Sequence, residues 1–155
     1  MILAEDFEDF VRLLNHHEVR YMIVGGYALA FHGKPRHTGD LDIWIGISEA
    51  NAARMLKVVE NFGLKSLGFT VRDFLVEGLI TQIGYPPLRI DVLNSIDGVT
   101  FEEAVEGMQQ LELEDGLVIN YIGLGDLVRN KEASGRSQDQ TDLKTLKRLQ
   151  KLKNK

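Results

Sequence analysis

Apolar residues recur at helical spacing at both ends of the chain. Near the start, this spacing predicts a helix over residues 5–16 that buries one stripe, formed by Phe7, Phe10, Val11 and Leu14. Ser48 is suited to cap a second helix. The same periodicity predicts the remaining helices, which lie at 49–62, 101–108, 124–134 and 138–152, with a short one around Ala28, Leu29 and Phe31.

Short runs of β-branched, aromatic or alternating residues lie between these helices. They predict strands at 21–24, 40–45, 79–83, 88–93, 109–113 and 117–121. No internal repeat, low-complexity stretch or linker interrupts the pattern. We therefore expect a single α/β (α+β) domain spanning residues 1–155, with helices packed against a small mixed or mostly antiparallel sheet.

Composition excludes several kinds of site and protein. The 155 residues are 44% apolar, which suits one buried core, and they include no cysteine, which excludes disulfides, zinc–thiolate sites and thiol nucleophiles. No apolar run reaches the roughly 18 residues of a membrane span, and the first ten residues are acidic where a signal peptide is basic. We expect a soluble, cytoplasmic protein with no membrane partner.

Charge is divided unevenly along the chain. The net charge is −5, but residues 1–128 carry −11 and residues 129–155 carry +6. The overall balance is unlike that of a dedicated nucleic-acid-binding module. The basic tail belongs to a predicted C-terminal helical pair over 123–155, and its outer face carries Lys144, Lys147, Arg148 and Lys151. This face is either a solvated helix surface or a surface that attracts a triphosphate or an RNA.

Three aspartates lie in predicted strands with apolar neighbours. Asp40 and Asp42 are two residues apart, so their side chains project from one face of the strand. Adjacent carboxylates repel, and a hard divalent cation between them removes that cost. Asp91 lies between Ile90 and Val92 in a later strand. If the two strands pair, Asp91 completes a site for two metal ions roughly 4 Å apart.

A glycine pair supplies the second part of the pattern. Gly25 and Gly26 lie between a predicted strand and a predicted helix, where backbone N–H groups can approach a phosphate. Thirteen residues separate Gly26 from Asp40, enough for one helix and a return into the next strand. We expect the glycines and carboxylates to meet at one end of the sheet. A phosphate site would then lie beside a divalent-metal site, as nucleotide chemistry requires.

Each feature taken singly has a plainer interpretation. A glycine pair is usually a turn, and an Asp-Leu-Asp segment is more often an edge strand or loop. Asp91 alone is compatible with a structural aspartate paired with Arg89 or Arg36. Their occurrence together, in strand–turn–helix–strand order, favours a nucleotide site.

The order of these motifs resembles the nucleotidyltransferase superfamily of DNA polymerase beta. The matching segments are Val24-Gly25-Gly26, Asp40-Leu41-Asp42-Ile43 and the later Asp91. Other segments resemble one branch, the small stand-alone nucleotidyltransferases that include toxin–antitoxin proteins. Those segments are Arg36-His37-Thr38-Gly39, Pro87-Leu88-Arg89-Ile90-Asp91, and Asp126 to Lys131 with its continuation through Gly135-Arg136, Asp139 and Asp142-Leu143.

The resemblance implies an Mg²⁺-dependent, ATP-binding type of enzyme that transfers a nucleoside monophosphate from an NTP and releases pyrophosphate. Asp40, Asp42 and Asp91 would be catalytic and would hold two Mg²⁺ ions. Gly25 and Gly26 would cradle the β- and γ-phosphates. The remaining nucleotide-binding residues that it implies are Arg36, in the loop before Asp40, and Lys131, on the penultimate helix.

Two further questions concern the acceptor and the activity. A chain of this length leaves little room for a substrate domain, which favours a macromolecular acceptor hydroxyl, on a tRNA 3′ end or a partner protein. The alternative is a catalytically silent nucleotide-binding partner of a toxin–antitoxin pair. Retention of all three carboxylates argues against that alternative, and the glycine pair argues against a simple metal-dependent phosphohydrolase.

Overall fold

The computed structural model describes residues 4–34, 39–85 and 87–153. Its helices are α1 (Glu5–His16), α2 (Gly25–Phe31), α3 (Glu49–Val59), α4 (Val71–Leu75), α5 (Phe101–Gly107), α6 (Leu124–Ser134) and α7 (Ser137–Lys153). Its strands are β1 (Tyr21–Val24), β2 (Asp40–Ile45), β3 (Ile80–Tyr85), β4 (Leu88–Leu93), β5 (Gln109–Glu112) and β6 (Val118–Tyr121).

The six strands form one mixed sheet in the order β3-β4-β2-β1-β6-β5. β2 pairs antiparallel with β1 and parallel with β4, and β1 is parallel to β6. The sheet with its helices confirms the predicted α/β (α+β) class. β2 and β4 are neighbours, which is the condition under which Asp91 joins the other two aspartates.

β2 divides its side chains between two environments, as alternation requires. Leu41, Ile43 and Ile45 are fully buried in the core. Asp40, Asp42 and Trp44 project from the other face, where Trp44 is covered by an edge-to-face contact with Phe101 at 5.2 Å between ring centroids. The strand is thus anchored by its apolar face, and its acidic face is left to form a site.

The C-terminal helices pack against each other, with Leu146 of α7 fully buried in the core. α6 ends at Gly135, which takes a left-handed conformation with φ of 68° and allows the chain to turn into α7. No helix in the described part of the chain is both long and apolar enough to cross a membrane.

The structure differs from the sequence prediction after α3. Ser48 caps α3 as predicted, by accepting a hydrogen bond from the backbone N–H of Asn51. The predicted continuation to residue 62 is instead a π-helical turn over Glu60–Leu64, because Gly63 has a φ of 93° and cannot continue an α-helix. The short helix α4 was not predicted. Its five residues are too few to show helical periodicity, although Thr70 and Asp73 form a capping box at its start.

Candidate nucleotide and metal site

The register of three strands brings the glycine turn and two aspartates together. Val24 of β1 lies opposite Asp42 of β2, and Asp42 lies opposite Asp91 of β4. These three residues form one row across the sheet, and Gly25 follows directly after Val24. A cavity of about 440 Å³ opens at this row, with Gly25, Asp42 and Asp91 in its wall. The structure therefore confirms that the first glycine and these carboxylates meet at one end of the sheet.

Gly25 fits this position because it has no side chain. Its φ of 70° lies in the left-handed region, and a Cβ atom there would overlap the Oδ2 atom of Asp42. The carboxylate thus packs directly against the glycine backbone at the start of α2. This close approach is what a turn that admits a phosphate next to a carboxylate site needs.

We expect Gly25→Ala to lose more stability than a glycine substitution that causes backbone strain alone. Gly116 provides the matched control, since its φ is 90° but no other group lies within 4 Å of the place that a Cβ atom would take. Gly116→Ala should cost about 1–2 kcal/mol from strain, and Gly25→Ala at least about 1–2 kcal/mol more from displacement of the Asp42 carboxylate. Urea unfolding of both variants measures the difference. Equal losses would show that Asp42 does not depend on the open Cα of Gly25.

Arg89 bridges two of the carboxylates. It lies opposite Asp40 in the β2–β4 register. Its guanidinium donates to both oxygens of Asp91, at 2.8 and 3.0 Å, and to Oδ2 of Asp40 at 3.1 Å. Asp91 is thus paired with Arg89, the plainer interpretation of that aspartate. The position between Asp40 and Asp91 accommodates a cation, and in this structure the cation is a guanidinium.

Of the three aspartates, Asp42 has the negative charge that neighbouring cations neutralise least. Burial, followed by the charges of Asp91 and Asp40, raises the pKa of Asp42 to about 7. Arg89 and Lys131 oppose this shift but only in part. At neutral pH the row therefore holds a poorly neutralised negative charge, which a bound cation would relieve.

Lys131 is held in the wall of the same cavity by a buried ionic network. It is almost fully buried, and its Nζ lies 2.7 Å from Asp139 and 3.8 Å from Asp142. Asp142 also pairs with Lys34 at 2.5 Å, and Asp139 accepts from Arg136 at 2.7 Å. Burial alone would raise the pKa of Asp139, but its hydrogen bonds, led by the one from Lys131, outweigh burial and hold that pKa well below its usual range. The network fixes α6 against α7 and fixes the Lys131 ammonium at the cavity.

Several residues of the cavity wall were not predicted as site residues. The segment after β4 contributes Ser95, Ile96 and Asp97, α6 contributes Asn130 and Ser134, and the turn between α6 and α7 contributes Arg136. Arg136 pairs with Asp139, three residues away on the first turn of α7. The spacing of Arg136 and Asp139 was a signal for this pair.

Other predicted residues lie outside the described cavity wall. Asp40 reaches the site through its bond with Arg89, and Gly26 is the second residue of α2. Arg36 lies outside the described residues. Trp44, on the same face of β2 as Asp40 and Asp42, is almost fully buried against Phe101.

The aromatic residues in α2 and at its C-terminal end are engaged in packing and hydrogen bonding within the domain. Tyr27 packs edge-on against Phe7 at 5.7 Å. His32 is buried beside Phe31, and its Nε2 bonds to the carbonyl of Ile122 at 2.7 Å. Burial lowers the pKa of His32, which agrees with a packed, neutral imidazole.

The carboxylate oxygens of the aspartates suit a hard divalent cation, but in this structure the guanidinium of Arg89 is bonded to Asp40 and Asp91. Carboxylate oxygens are the ligands that Mg²⁺ prefers. Within the described ranges, no three Asp, Glu, His or Cys side chains are grouped so that they could hold a metal ion. Arg89 engages Asp40 and Asp91 together, so a metal ion bound by these carboxylates would have to displace the guanidinium.

Comparison with known proteins gives structural neighbours but no sequence match. No protein-family model and no curated protein matches the chain. TM1012 of Thermotoga maritima, described as a nucleotidyltransferase, aligns with a TM-score of 0.56 and 13% identity over 96% of this chain and 90% of TM1012. LnuA, a lincosamide antibiotic adenylyltransferase solved with lincomycin, aligns with a TM-score of 0.55 and 17% identity over 96% of this chain and 98% of LnuA.

A third neighbour extends the same likeness. An antigenic nucleotidyltransferase-like protein from Paracoccidioides brasiliensis has a TM-score of 0.55 and 15% identity over 97% of this chain and 78% of that protein. At these identities the likeness is one of fold. The chain has the nucleotidyltransferase fold, as the motif order predicted.

Proposed function

We propose that the protein is an Mg²⁺-dependent nucleotidyltransferase that moves a nucleoside monophosphate from an NTP to an acceptor hydroxyl. The observation that carries the proposal is the position of Gly25, Asp42 and Asp91 together in the wall of one cavity. The likeness to TM1012 and LnuA supports it, since one is described as a nucleotidyltransferase and the other as an adenylyltransferase.

In the proposed reaction the acceptor oxygen attacks the α-phosphorus in line with the bond to the β-phosphate. The new oxygen–phosphorus bond forms, the α–β phosphoanhydride bond breaks, and pyrophosphate leaves with the electron pair. The hydroxyl proton passes to a carboxylate oxygen of Asp91. Bound Mg²⁺ would neutralise charge on the attacking and leaving oxygens, and Asp40, Asp42 and Asp91 would hold it.

The remaining nucleotide contacts follow from the cavity wall. Gly25 and Gly26, at the start of α2, would present backbone N–H groups to the β- and γ-phosphates. Lys131 would place its ammonium near the triphosphate, and Arg36, four positions before the first residue of β2 in the sequence, would add a second positive charge. Arg136 is the exposed cation at the cavity entrance, with 77% of its side chain accessible, and is suited to meet an incoming phosphate.

Chain length does not decide between macromolecular and small acceptors. LnuA is described as a lincosamide antibiotic adenylyltransferase, and the alignment covers nearly the whole of both chains. A domain of this size is therefore enough for a small-molecule acceptor. The exposed basic residues of α7, among them Lys144, Lys147 and Arg148, support the other proposal, in which a tRNA 3′ end is modified. A partner protein of a toxin–antitoxin pair is the third acceptor consistent with the fold.

The proposal is tested by incubation with each NTP labelled at the α-phosphate, with Mg²⁺ and either total tRNA or a cell lysate. We expect label on an acceptor with the wild-type protein and none with the Asp40→Ala/Asp42→Ala double variant. Labelling by the double variant at the wild-type rate would contradict the assignment of these aspartates.

A catalytically silent nucleotide-binding partner protein is the second candidate, and Arg89 is the observation that favours it. Its guanidinium already neutralises Asp40 and Asp91, so these carboxylates can persist without a metal. Nucleotide binding with no transfer to any acceptor fraction would support this candidate.

Substitution of Arg89 separates the two candidates. If metal and guanidinium compete for the same carboxylates, Arg89→Met should raise the affinity for Mg²⁺ about tenfold, the weight of about one charge-assisted hydrogen bond. Calorimetric titration of Mg²⁺ without nucleotide measures this. Arg20→Met is the control, since Arg20 pairs with Glu102 at 2.8 Å, away from the row. Unchanged or weaker Mg²⁺ binding by Arg89→Met would contradict a metal site here.

A further inference from the structure

The cavity at the aspartate row extends along β4 beyond the residues that the proposed reaction uses. Gly25 and Asp42 lie in its wall at the row itself. Leu93 also lines the cavity, two residues beyond Asp91 on the same face of β4 and therefore about 7 Å further along the strand. Asp97 lies in the wall beyond the end of that strand. A triphosphate held near Gly25 and Asp42 therefore leaves this far end of the cavity for the base of the nucleotide.

The far end of the cavity is lined by Ile96, Asp97 and Asn130, and part of the wall beside it is apolar. Ile80 of β3 lies opposite Leu93 in the strand register, lines the cavity and is 60% exposed. Ile96 follows in the segment after β4 and is half-buried. A planar base lying on these side chains would remove their apolar surface from water.

Asn130 presents a hydrogen-bond acceptor at the far end. It lies on α6, one residue before Lys131, and it is half-buried. Its Nδ2 donates to the backbone carbonyl of Asp97 at 2.9 Å. Because a carbonyl only accepts, this bond fixes the orientation of the amide and leaves Oδ1 as the group available to a ligand. No group in the part of the chain that the structure describes donates to this Oδ1.

Asp97 supplies a second acceptor beside Asn130. The residue is exposed, and among the described side chains its carboxylate has no ion-pair partner within 4 Å. Arg136 lies in the same cavity wall, but the pKa of Arg136 is raised mainly by its hydrogen bond to Asp139 and only to a smaller extent by the charge of Asp97. Two acceptors, Oδ1 of Asn130 and the carboxylate of Asp97, thus lie together at the far end.

Nucleotide bases differ in whether they can donate to a pair of acceptors. Adenine and cytosine each carry an exocyclic amino group with two N–H bonds. Hypoxanthine and uracil have the same rings with a carbonyl at that position, and a carbonyl only accepts. An amino group can therefore donate to Asn130 and Asp97 at once, whereas a carbonyl oxygen would face both acceptors and leave them unpaired.

We propose that Asn130 and Asp97 select nucleotides whose base carries this amino group, ATP and CTP, over those with a carbonyl in its place, an inference that rests on the proposed nucleotidyl transfer. One N–H of the amino group donates to Oδ1 of Asn130 and the other to the carboxylate of Asp97, while the ring lies on Ile80 and Ile96. Asn130 thereby acts on the choice of nucleotide and leaves the transfer step to the aspartates of the row.

Two pairs of nucleotides that differ at this one position of the base test the proposal on the wild-type protein. Calorimetric titration with Mg²⁺ and without an acceptor measures the affinity for ATP and for ITP, whose base is hypoxanthine, and likewise for CTP and UTP. We expect ATP to bind at least about tenfold more tightly than ITP, and CTP at least about tenfold more tightly than UTP, the weight of one hydrogen bond to a charged group. Equal affinities within each pair would overturn the proposal.

Variants of Asn130 separate its role as an acceptor from a structural role. Asn130→Ala and Asn130→Asp both lose the bond from Nδ2 to the Asp97 carbonyl, but the aspartate retains an acceptor oxygen. We expect the ratio of ATP to ITP affinity to fall below about threefold in Asn130→Ala and to stay at least about tenfold in Asn130→Asp. Asn61→Ala, which removes an exposed asparagine bonded to His17, is the control and should leave the ratio unchanged. A ratio that falls equally in both Asn130 variants, or in neither, would overturn the assignment.

The base preference and the reaction can fail separately. Preferential binding of ATP and CTP without transfer to any acceptor fraction would support the role of Asn130 and contradict the proposed function. Transfer from ITP and UTP as efficient as transfer from ATP and CTP would support the function and overturn the base preference. Absence of binding by all four nucleotides would contradict both.

Discussion

Asp42→Asn should abolish nucleotidyl transfer and at the same time stabilise the protein. The catalytic loss should be roughly a thousandfold or more, because a metal clamp on the reacting phosphate contributes several kcal/mol to the transition state. The initial rate of label transfer from an α-labelled NTP, at saturating Mg²⁺, measures it. A rate within about tenfold of wild type would show that Asp42 does not serve the reaction.

The gain in stability follows from the raised pKa of Asp42. With a pKa of about 7 when folded and about 4 when unfolded, Asp42 destabilises the metal-free protein progressively as pH rises from about 4 to 7. We expect Asp42→Asn to raise the free energy of unfolding by about 2 kcal/mol at about pH 8. This is half of the free energy that corresponds to the full difference between the folded and unfolded pKa of Asp42, because the carboxylate is only partly buried.

Unfolding by urea with a chelator present, at about pH 8 and again at about pH 4.5, checks the sign. The gain should fall to about a quarter of its value at the lower pH, because about pH 4.5 lies only slightly above the pKa of Asp42 in the unfolded chain. Asp9→Asn, at an exposed position of α1, is the control and should change stability little at either pH. Destabilisation by Asp42→Asn at the higher pH would contradict the crowded carboxylate row.

Lys131→Met should destabilise the protein by about 3–5 kcal/mol. The substitution leaves Asp139 and Asp142 buried with one less cation, and a buried charge that loses its partner is costly. Thermal and urea unfolding measure the loss. Part of it should be recovered by adding Asp139→Asn, because this second change removes one of the carboxylates left uncompensated.

Lys147→Met is the matched control for Lys131→Met. Lys147 is an exposed lysine of α7 that pairs with Glu132 at 3.9 Å. Its loss should cost less than about 0.5 kcal/mol. Similar effects of the two lysine substitutions would show that the buried network does not hold α6 and α7 together.

Much of the site was predictable because it depends on short-range pattern. The alternation in β2 determines that Asp40 and Asp42 share a face and that Leu41 and Ile43 are buried. The glycine pair predicted a turn at the same end of the sheet. Both features depend on residues a few positions apart, where sequence spacing translates directly into geometry.

The remainder of the site depends on register and on packing between distant segments. That Asp42 lies opposite Asp91 follows from the β2–β4 register, which alternation alone does not determine. Arg89 and Asp91 are two residues apart on one strand, so the sequence allowed their pair. The further bond from Arg89 to Asp40 was not predictable, because it depends on how β2 and β4 are aligned. The Lys131 network depends on how α6 and α7 pack against each other, which no local pattern contains.

The most direct test of the central claim is to compare the fate of two labels on the same nucleotide. The protein is incubated with Mg²⁺, an acceptor fraction and an NTP labelled at either the α- or the γ-phosphate. We expect the α-label on the acceptor and the γ-label in pyrophosphate, with both signals lost in Asp42→Asn. Transfer of the γ-label to the acceptor, release of inorganic phosphate alone, or transfer unaffected by chelation of Mg²⁺ would contradict metal-dependent nucleotidyl transfer at this site.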